Sequence, residues 1–223
     1  MEIKTNIYNI RKDIPKNVKL VCVTKTKSIE EIKQAYSIGE RDFGENKVQE
    51  LLYKYEHFDN DVRWHFIGHL QRNKVKYIAG KVYLIHSLDS VRLLNEIEKR
   101  YSEKGRIANV LIQINIGREK NKTGLFIEDL DELLKHCEKC SNVKVKGLMA
   151  IIPKGDEKSC SMHFRNMKHI FDELKENEFN NINMEILSMG MSGDYKIAID
   201  EGSNMIRIGQ GIFGKRIYDK GGV

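Results

Sequence analysis

The sequence predicts an α/β protein whose eight parallel strands close into a single (β/α)8 barrel of the TIM type, with an extra N-terminal helix. Three observations carry that prediction. Strand-like and helix-like stretches alternate along nearly the whole of the 223 residues, and strict alternation calls for a parallel sheet. Eight such repeats are enough to close the sheet on itself. The first turn from strand to helix, Thr24 to Ser28, contains no glycine, so the dinucleotide fingerprint that would favour the runner-up, an open doubly wound sheet, is missing.

Taken in order, an amphipathic helix over residues 2–12 opens the chain. Strands are expected at 19–24, 41–44, 63–67, 82–86, 109–115, 144–151, 184–188 and 205–208, each a short apolar run bounded by turn residues. Helices are expected between and after them at 28–39, 46–57, 71–79, 90–104, 127–140, 159–177 and 193–201. Gly39, Gly80, Gly105 and Gly202 stand just past the last periodic residue of their helices, where a left-handed helix end is needed.

With 40% hydrophobic residues and no linker rich in proline, glycine or serine, residues 1–223 read as one domain with one large core. Glu2, Lys4 and Asn6 interrupt any apolar start, and no long apolar segment follows, so a soluble, cytoplasmic protein without membrane contact is expected. The four cysteines are too few and irregular for a disulfide framework. Cys137 and Cys140 have a two-residue spacer, but no second pair completes a tetrahedral metal site. His65 and His69 straddle a strand-to-turn change rather than sharing a helix face, so no metal is expected there either. The formal charge of +6 is dispersed over mixed-sign helices. The most basic stretch, Arg72 to Lys81, lacks the interleaved aromatics of a nucleic-acid module.

A barrel places chemistry at the C-terminal ends of its strands, and unusual residues gather at those stops. Lys25 ends the run Leu20 to Thr24, and alternation puts it on the face of Val21 and Val23. An ammonium pressed toward a core has either a partner or an amine neutral enough to react; the alternative is a strand-end lysine that snorkels to water. In Ser188-Met189-Gly190-Met191-Ser192-Gly193-Asp194 a strand runs into small residues and a helix start, and Gly209-Gln210-Gly211 follows the last strand. These loops read either as a phosphate site built from amides and hydroxyls or as ordinary tight turns. Arg207 shares a face with Met205 and Gly209 and, if Ile206 and Ile208 pack outward, points into the barrel mouth; the alternative is a surface salt bridge. His65 and His86 stand at expected strand ends on the same rim.

With these residues in place, the chain resembles the pyridoxal phosphate homeostasis protein family, whose barrel is similar to the N-terminal domain of alanine racemase. The resemblance runs from about Leu20 to Tyr218. It rests on Val23-Thr24-Lys25-Thr26-Lys27, Phe43-Gly44-Glu45-Asn46, Trp64-His65-Phe66-Ile67-Gly68-His69-Leu70-Gln71, Leu111 to Asn115, Gly147-Leu148-Met149-Ala150, Ser188 to Ser192 and Arg207-Ile208-Gly209 with Ile212-Phe213-Gly214. It implies that Lys25 carries pyridoxal 5′-phosphate as a Schiff base. By the same resemblance Ser188, Gly209 and Gln210, with the neighbouring amides of Gly190, Met191 and Ser192, hold the phosphate. Arg207 then faces the pyridine nitrogen, and Asn46 lies near the ring. The relatives usually carry a small hydroxyl residue where this chain has Gln210, which leaves the role of that side chain open.

The resemblance also implies a non-catalytic carrier that supplies the cofactor to apo-enzymes. Racemisation needs two bases on opposite faces of the ring, and alanine racemase takes the second, a tyrosine, from a further β-domain of a partner subunit. This chain stops shortly after Tyr218, so that domain and its dimer contact are expected to be missing and a monomer is expected. A racemase or lyase using His65, His86 or a tyrosine as second base is the alternative, and a cofactor-free Schiff-base aldolase the third reading. Lys27 and Lys122 are either transient acceptors of the aldehyde during hand-over or solvated loop lysines.

Overall fold

A computed structural model describes residues 2–214; Tyr218, at the far end of the resemblance, lies outside them. The strands are β1 (Lys19–Val23), β2 (Asp42–Glu45), β3 (Arg63–Phe66), β4 (Leu84–Leu88), β5 (Ala108–Ile114), β6 (Val143–Ala150), β7 (Ile182–Ser188) and β8 (Met205–Ile208). They form a closed barrel in sequence order, all neighbours parallel, with β8 returning to β1. The expected architecture is thus the observed one.

The helices are α1 (Glu2–Asp13), α2 (Ile29–Tyr36), α3 (Val48–Tyr55), α4 (Val75–Ile78), α5 (Val91–Ser102), α6 (Leu130–Cys137), α7 (Glu157–Lys175), α8 (Tyr195–Asp200) and α9 (Gln210–Phe213). Local chemistry explains several starts. Ser28 and Glu31 form a reciprocal capping box at α2, and Ser90 and Asp156 cap α5 and α7 with their side chains, each cap contributing about 1 kcal/mol. All four glycines expected to end helices have positive φ.

Two apolar layers result. Val21, Leu84, Leu111, Met149, Ile186 and Met205 fill the barrel interior, while the alternate residues, such as Phe43, Trp64, Ile206 and Ile208, pack outward under the helices. Gly147 sits at a register shift between β6 and β7, with φ +139 and no room for a Cβ, which would lie 1.9 Å from the Ile186 carbonyl oxygen. The N-terminal helix braces the closure. Asn6 Nδ2 donates to the Ile212 carbonyl on α9 at 2.9 Å, and Arg11 grips Glu40 through two bonds of 2.9 and 2.6 Å.

Some boundaries differ from those expected. β1 ends at Val23, so Lys25 lies in the following turn rather than in the strand. β4 begins two residues later than expected, although Tyr83 already donates its amide to the Trp64 carbonyl on β3. The helix expected at 71–79 is one 3-10 turn over Arg72–Lys74 followed by the short α4. α9, hidden among glycines, was not expected. No helix among the described residues is long and apolar enough to cross a membrane.

Candidate functional site

The seam between the first and last strands builds the mouth. Val21 is in register with Arg207 and Cys22 with Ile208, so the turn carrying Lys25 rises beside the loop that begins at Gly209. Lys27 Nζ joins the two by donating to the Phe213 carbonyl at 2.8 Å while pairing with Glu31 at 3.0 Å. Across the next strand pair, Gly211 N–H donates to Ser192 Oγ at 3.1 Å. The three loops expected to form one site therefore do meet.

The turn bearing Lys25 is clamped on both sides. Lys54 of α3, buried to 2% exposure, donates to the Thr24 carbonyl, to Glu45 Oε1 and to Glu50 Oε1, each at 2.7 Å. Thr24 Oγ1 donates to Glu45, and the Thr26 amide donates to Glu50. Thr26 takes φ +65, a conformation that disfavours a β-branched residue. Lys25 itself is half-buried. Glu45 Oε2 is buried with no hydrogen-bond partner among the described residues, and burial outweighs Lys54 in pushing the Glu45 carboxyl up to about 7.

Arg207 points inward, as alternation predicts, at 3% exposure. Its Nη1 donates to the Ser188 carbonyl at 2.8 Å and to Ser188 Oγ at 2.6 Å, and Nη2 donates to the Ala150 carbonyl at 2.8 Å. Burial lowers its pKa to about 10, so the guanidinium is still charged at neutral pH. Gly190 has φ +93, and its carbonyl accepts the Arg207 amide. Met191 donates its amide to Asp194 Oδ1 at 2.6 Å. Half-buried Gly209 with exposed Gln210 and Gly211 forms the opposite wall, and Asn46 follows β2 directly, its Oδ1 buried without a partner among the described residues.

Two expected rim residues lie elsewhere. His65 and His86 are fully buried inside the barrel rather than at its mouth, because His65 lies within β3 and β4, starting late, carries His86 mid-strand. Their rings bond each other, Nδ1 of His65 to Nε2 of His86 at 2.9 Å. His69 turns away to Asp89, with half its side chain exposed. Lys122 pairs with Glu119 at 2.5 Å on the surface. Cys137 and Cys140 are both buried, and burial raises their thiols to about 12 and about 11. Among the described residues no group of three or more His, Cys, Asp or Glu is placed to hold a metal ion.

Comparison with known proteins gives this arrangement its relatives. The family model described as alanine racemase, N-terminal domain, matches residues 1–217. A pyridoxal phosphate homeostasis protein of Aquifex aeolicus is 46% identical over 90% of this chain and 88% of its own. One of Helicobacter pylori is 40% identical over 88% of this chain and 87% of its own. The chain belongs to the pyridoxal phosphate homeostasis protein family. Among solved structures, PipY of Synechococcus elongatus without pyridoxal phosphate superposes with TM-score 0.90 at 32% identity, covering 95% of this chain and 100% of PipY. PipY with pyridoxal phosphate bound gives 0.88 at 31% identity, with the same coverage. An alanine racemase of Clostridium difficile, 17% identical, shares the fold, with TM-score 0.78 over 98% of this chain and 57% of its own.

For this member of the homeostasis protein family, sequence reasoning found the mouth but missed its supports. Lys54 and Glu50 are readable as a helical i,i+4 pair. Nothing local in the sequence signals that this pair is buried against Glu45 and the Lys25 turn.

Proposed function

We propose that this protein, acting as one barrel domain, binds pyridoxal 5′-phosphate as a Schiff base on Lys25, stores it and supplies it to apo-enzymes without catalysing a reaction of its own. The observation that carries the reading is the meeting of Lys25, the inward Arg207 and two glycine-containing loops at one seam. That a relative was solved with pyridoxal phosphate bound supports it. The residues present fit such a group. Asn46 Oδ1 is a buried acceptor awaiting a donor, and Gly209 and Gly211 leave bare backbone where a Cβ would crowd Val23 or Ile208 at 3.3 and 3.0 Å.

When bound, pyridoxal phosphate supplies an aldehyde that condenses with an amine and a ring that withdraws electrons. The residues lining the mouth tune both properties. The Lys25 amine is the group that would condense with the aldehyde, on a half-buried residue in a turn held by Lys54 and Glu50. Gly190, Ser192, Gly209 and Gln210 are the proposed phosphate contacts, with Met191 beside them, its amide engaged by Asp194; the Ser188 hydroxyl is likewise engaged by Arg207, so Ser192, which meets Gly211, is the better placed serine. An arginine opposite the pyridine nitrogen keeps that nitrogen unprotonated and weakens the ring as an electron sink, which favours storage. The two histidines expected as alternative second bases are bonded to each other inside the barrel. For hand-over, Lys122 is the more accessible of the two candidate lysines, since Lys27 is held between Glu31 and Phe213.

A visible spectrum and intact mass before and after borohydride test the reading. A band at about 420 nm, replaced on reduction by a covalent adduct and lost in Lys25→Ala, is the expected result. Retention of the adduct in Lys25→Ala overturns the assignment, and sustained exchange of amino-acid α-protons in deuterated water overturns the non-catalytic role.

A further inference from the structure

A line of hydrogen bonds runs through the barrel interior from its floor to Arg207. At the floor, Arg63 holds Asp42 through bonds of 2.8 and 2.6 Å. Asp42 Oδ1 is 2.9 Å from His65 Nε2. His65 Nδ1 is 2.9 Å from His86 Nε2, and His86 Nδ1 is 3.2 Å from Ser188 Oγ. Ser188 Oγ in turn meets Arg207 Nη1 at 2.6 Å. The line crosses from β2 through β3, β4 and β7 to β8, and His65, His86 and Ser188 are fully buried.

The positions of the protons are fixed by elimination. Asp42, paired with Arg63, is a carboxylate and accepts only, so His65 carries its hydrogen on Nε2. Burial keeps both rings neutral. His65 Nδ1 is therefore an acceptor, and His86 must donate from Nε2. His86 Nδ1 then accepts the Ser188 hydroxyl hydrogen. This turns the Ser188 lone pairs toward Arg207, which can only donate. From Arg207 down to Asp42 every bond points the same way, both ends being closed by arginines that donate, and the reverse order would leave the Ser188 hydrogen without an acceptor in a buried place, a costly arrangement.

We propose that Asp42, His65, His86 and Ser188 are positioning residues, a one-way relay that fixes the orientation of Arg207 and through it the environment of the ring of a bound cofactor. The proposal rests on the reading that pyridoxal phosphate occupies the mouth, but its proton order does not. A carboxylate on the floor thereby governs the donor pattern at the opposite end of the barrel. The arrangement parallels outer partners that set the tautomer and aim of a functional histidine, here extended over two rings and a hydroxyl.

Two measurements on the full chain test it. Long-range proton–nitrogen NMR of the imidazoles, without pyridoxal phosphate, is expected to show His65 and His86 neutral with hydrogen on Nε2. A ring protonated on Nδ1, or a charged ring at neutral pH, overturns the relay whatever the mouth binds. In the second, His86→Leu breaks the line while His86→Gln keeps one acceptor and one donor in order. His86→Leu is expected to shift the visible band of bound pyridoxal phosphate and to weaken its retention about 10-fold, the size of one buried bond to a charged group; His86→Gln is expected to restore both. If His86→Leu does not fold, Ser188→Ala, which removes only the last link, is expected to give the same shift. Unchanged spectra and retention in the folded variants overturn the positioning role while leaving the cofactor reading standing. Absence of any band in the unaltered protein, or a band that survives in Lys25→Ala, removes the cofactor reading and this role together, with the NMR result still deciding the proton order.

Discussion

Two buried polar networks serve the same mouth, and they are built from opposite materials. Behind the wall, Lys54 with Glu45 and Glu50 is an ionic cluster in which two carboxylates share one ammonium. Inside the barrel, His65, His86 and Ser188 form a neutral line anchored on the outer pair of Asp42 and Arg63. The ionic cluster holds backbone, gripping Thr24 and Thr26 on either side of Lys25. The neutral line holds a side chain, the Arg207 guanidinium. Charge is used where a turn must be held against strain at Thr26, and neutral groups where orientation of a donor matters and no further charge fits the apolar interior.

The sharpest break of this contrast is Lys54→Met. Removing the ammonium leaves Glu45 buried without its cation, so urea unfolding is expected to show a loss of about 3–5 kcal/mol, together with weaker pyridoxal phosphate retention as the Lys25 turn loosens. A double variant with Glu45→Gln is expected to recover part of the loss. Equal stability of Lys54→Met and the unaltered protein would show that the cluster contributes nothing.

The networks also respond to pH with opposite signs. Glu45 has its folded pKa raised from 4.5 to about 7, so the folded state binds the extra proton between those values, and this contribution to stability is lost as pH rises through that window. The histidines have folded pKa values below 6.5, so the unfolded state binds more protons in acid, and their contribution is lost as pH falls below about 6.5. The two contributions therefore oppose each other between pH 8 and pH 5, and urea titration of variants at those two pH values separates them. Relative to the unaltered protein, Glu45→Gln is expected to lower stability at pH 5 against pH 8 and His86→Leu to raise it; parallel curves would refute the opposition. The smallest effect is expected at Thr26→Gly, where relief of positive φ stabilises by about 0.5–1 kcal/mol in the same titration.

The barrel is readable in the sequence because each strand is a short apolar run and four helices end at glycine. Arg207 is readable too, since a strand's period of two leaves only one inward choice once Ile206 and Ile208 pack outward. Lys25 is legible as a residue but not in its setting, because where β1 stops depends on Glu45, Glu50 and Lys54, which reach it from other elements. The histidines were misplaced toward the rim for a similar reason. Apolar content at Val82 and Tyr83 suggested a strand two residues too early, and only the pairing of neighbours sets how deep His86 lies. The short α9 has too few residues for any periodicity to show.

The bond from Lys27 to the Phe213 carbonyl spans 186 positions of sequence, and it crosses the line along which the cylinder is sewn shut. The Lys25 turn and the loop beginning at Gly209 come from the earliest and latest synthesised strands of the barrel. A nascent polypeptide still lacking β8 therefore has the Lys25 turn but not the loop that Lys27 ties to it, and the mouth takes shape only when the ring of strands is complete.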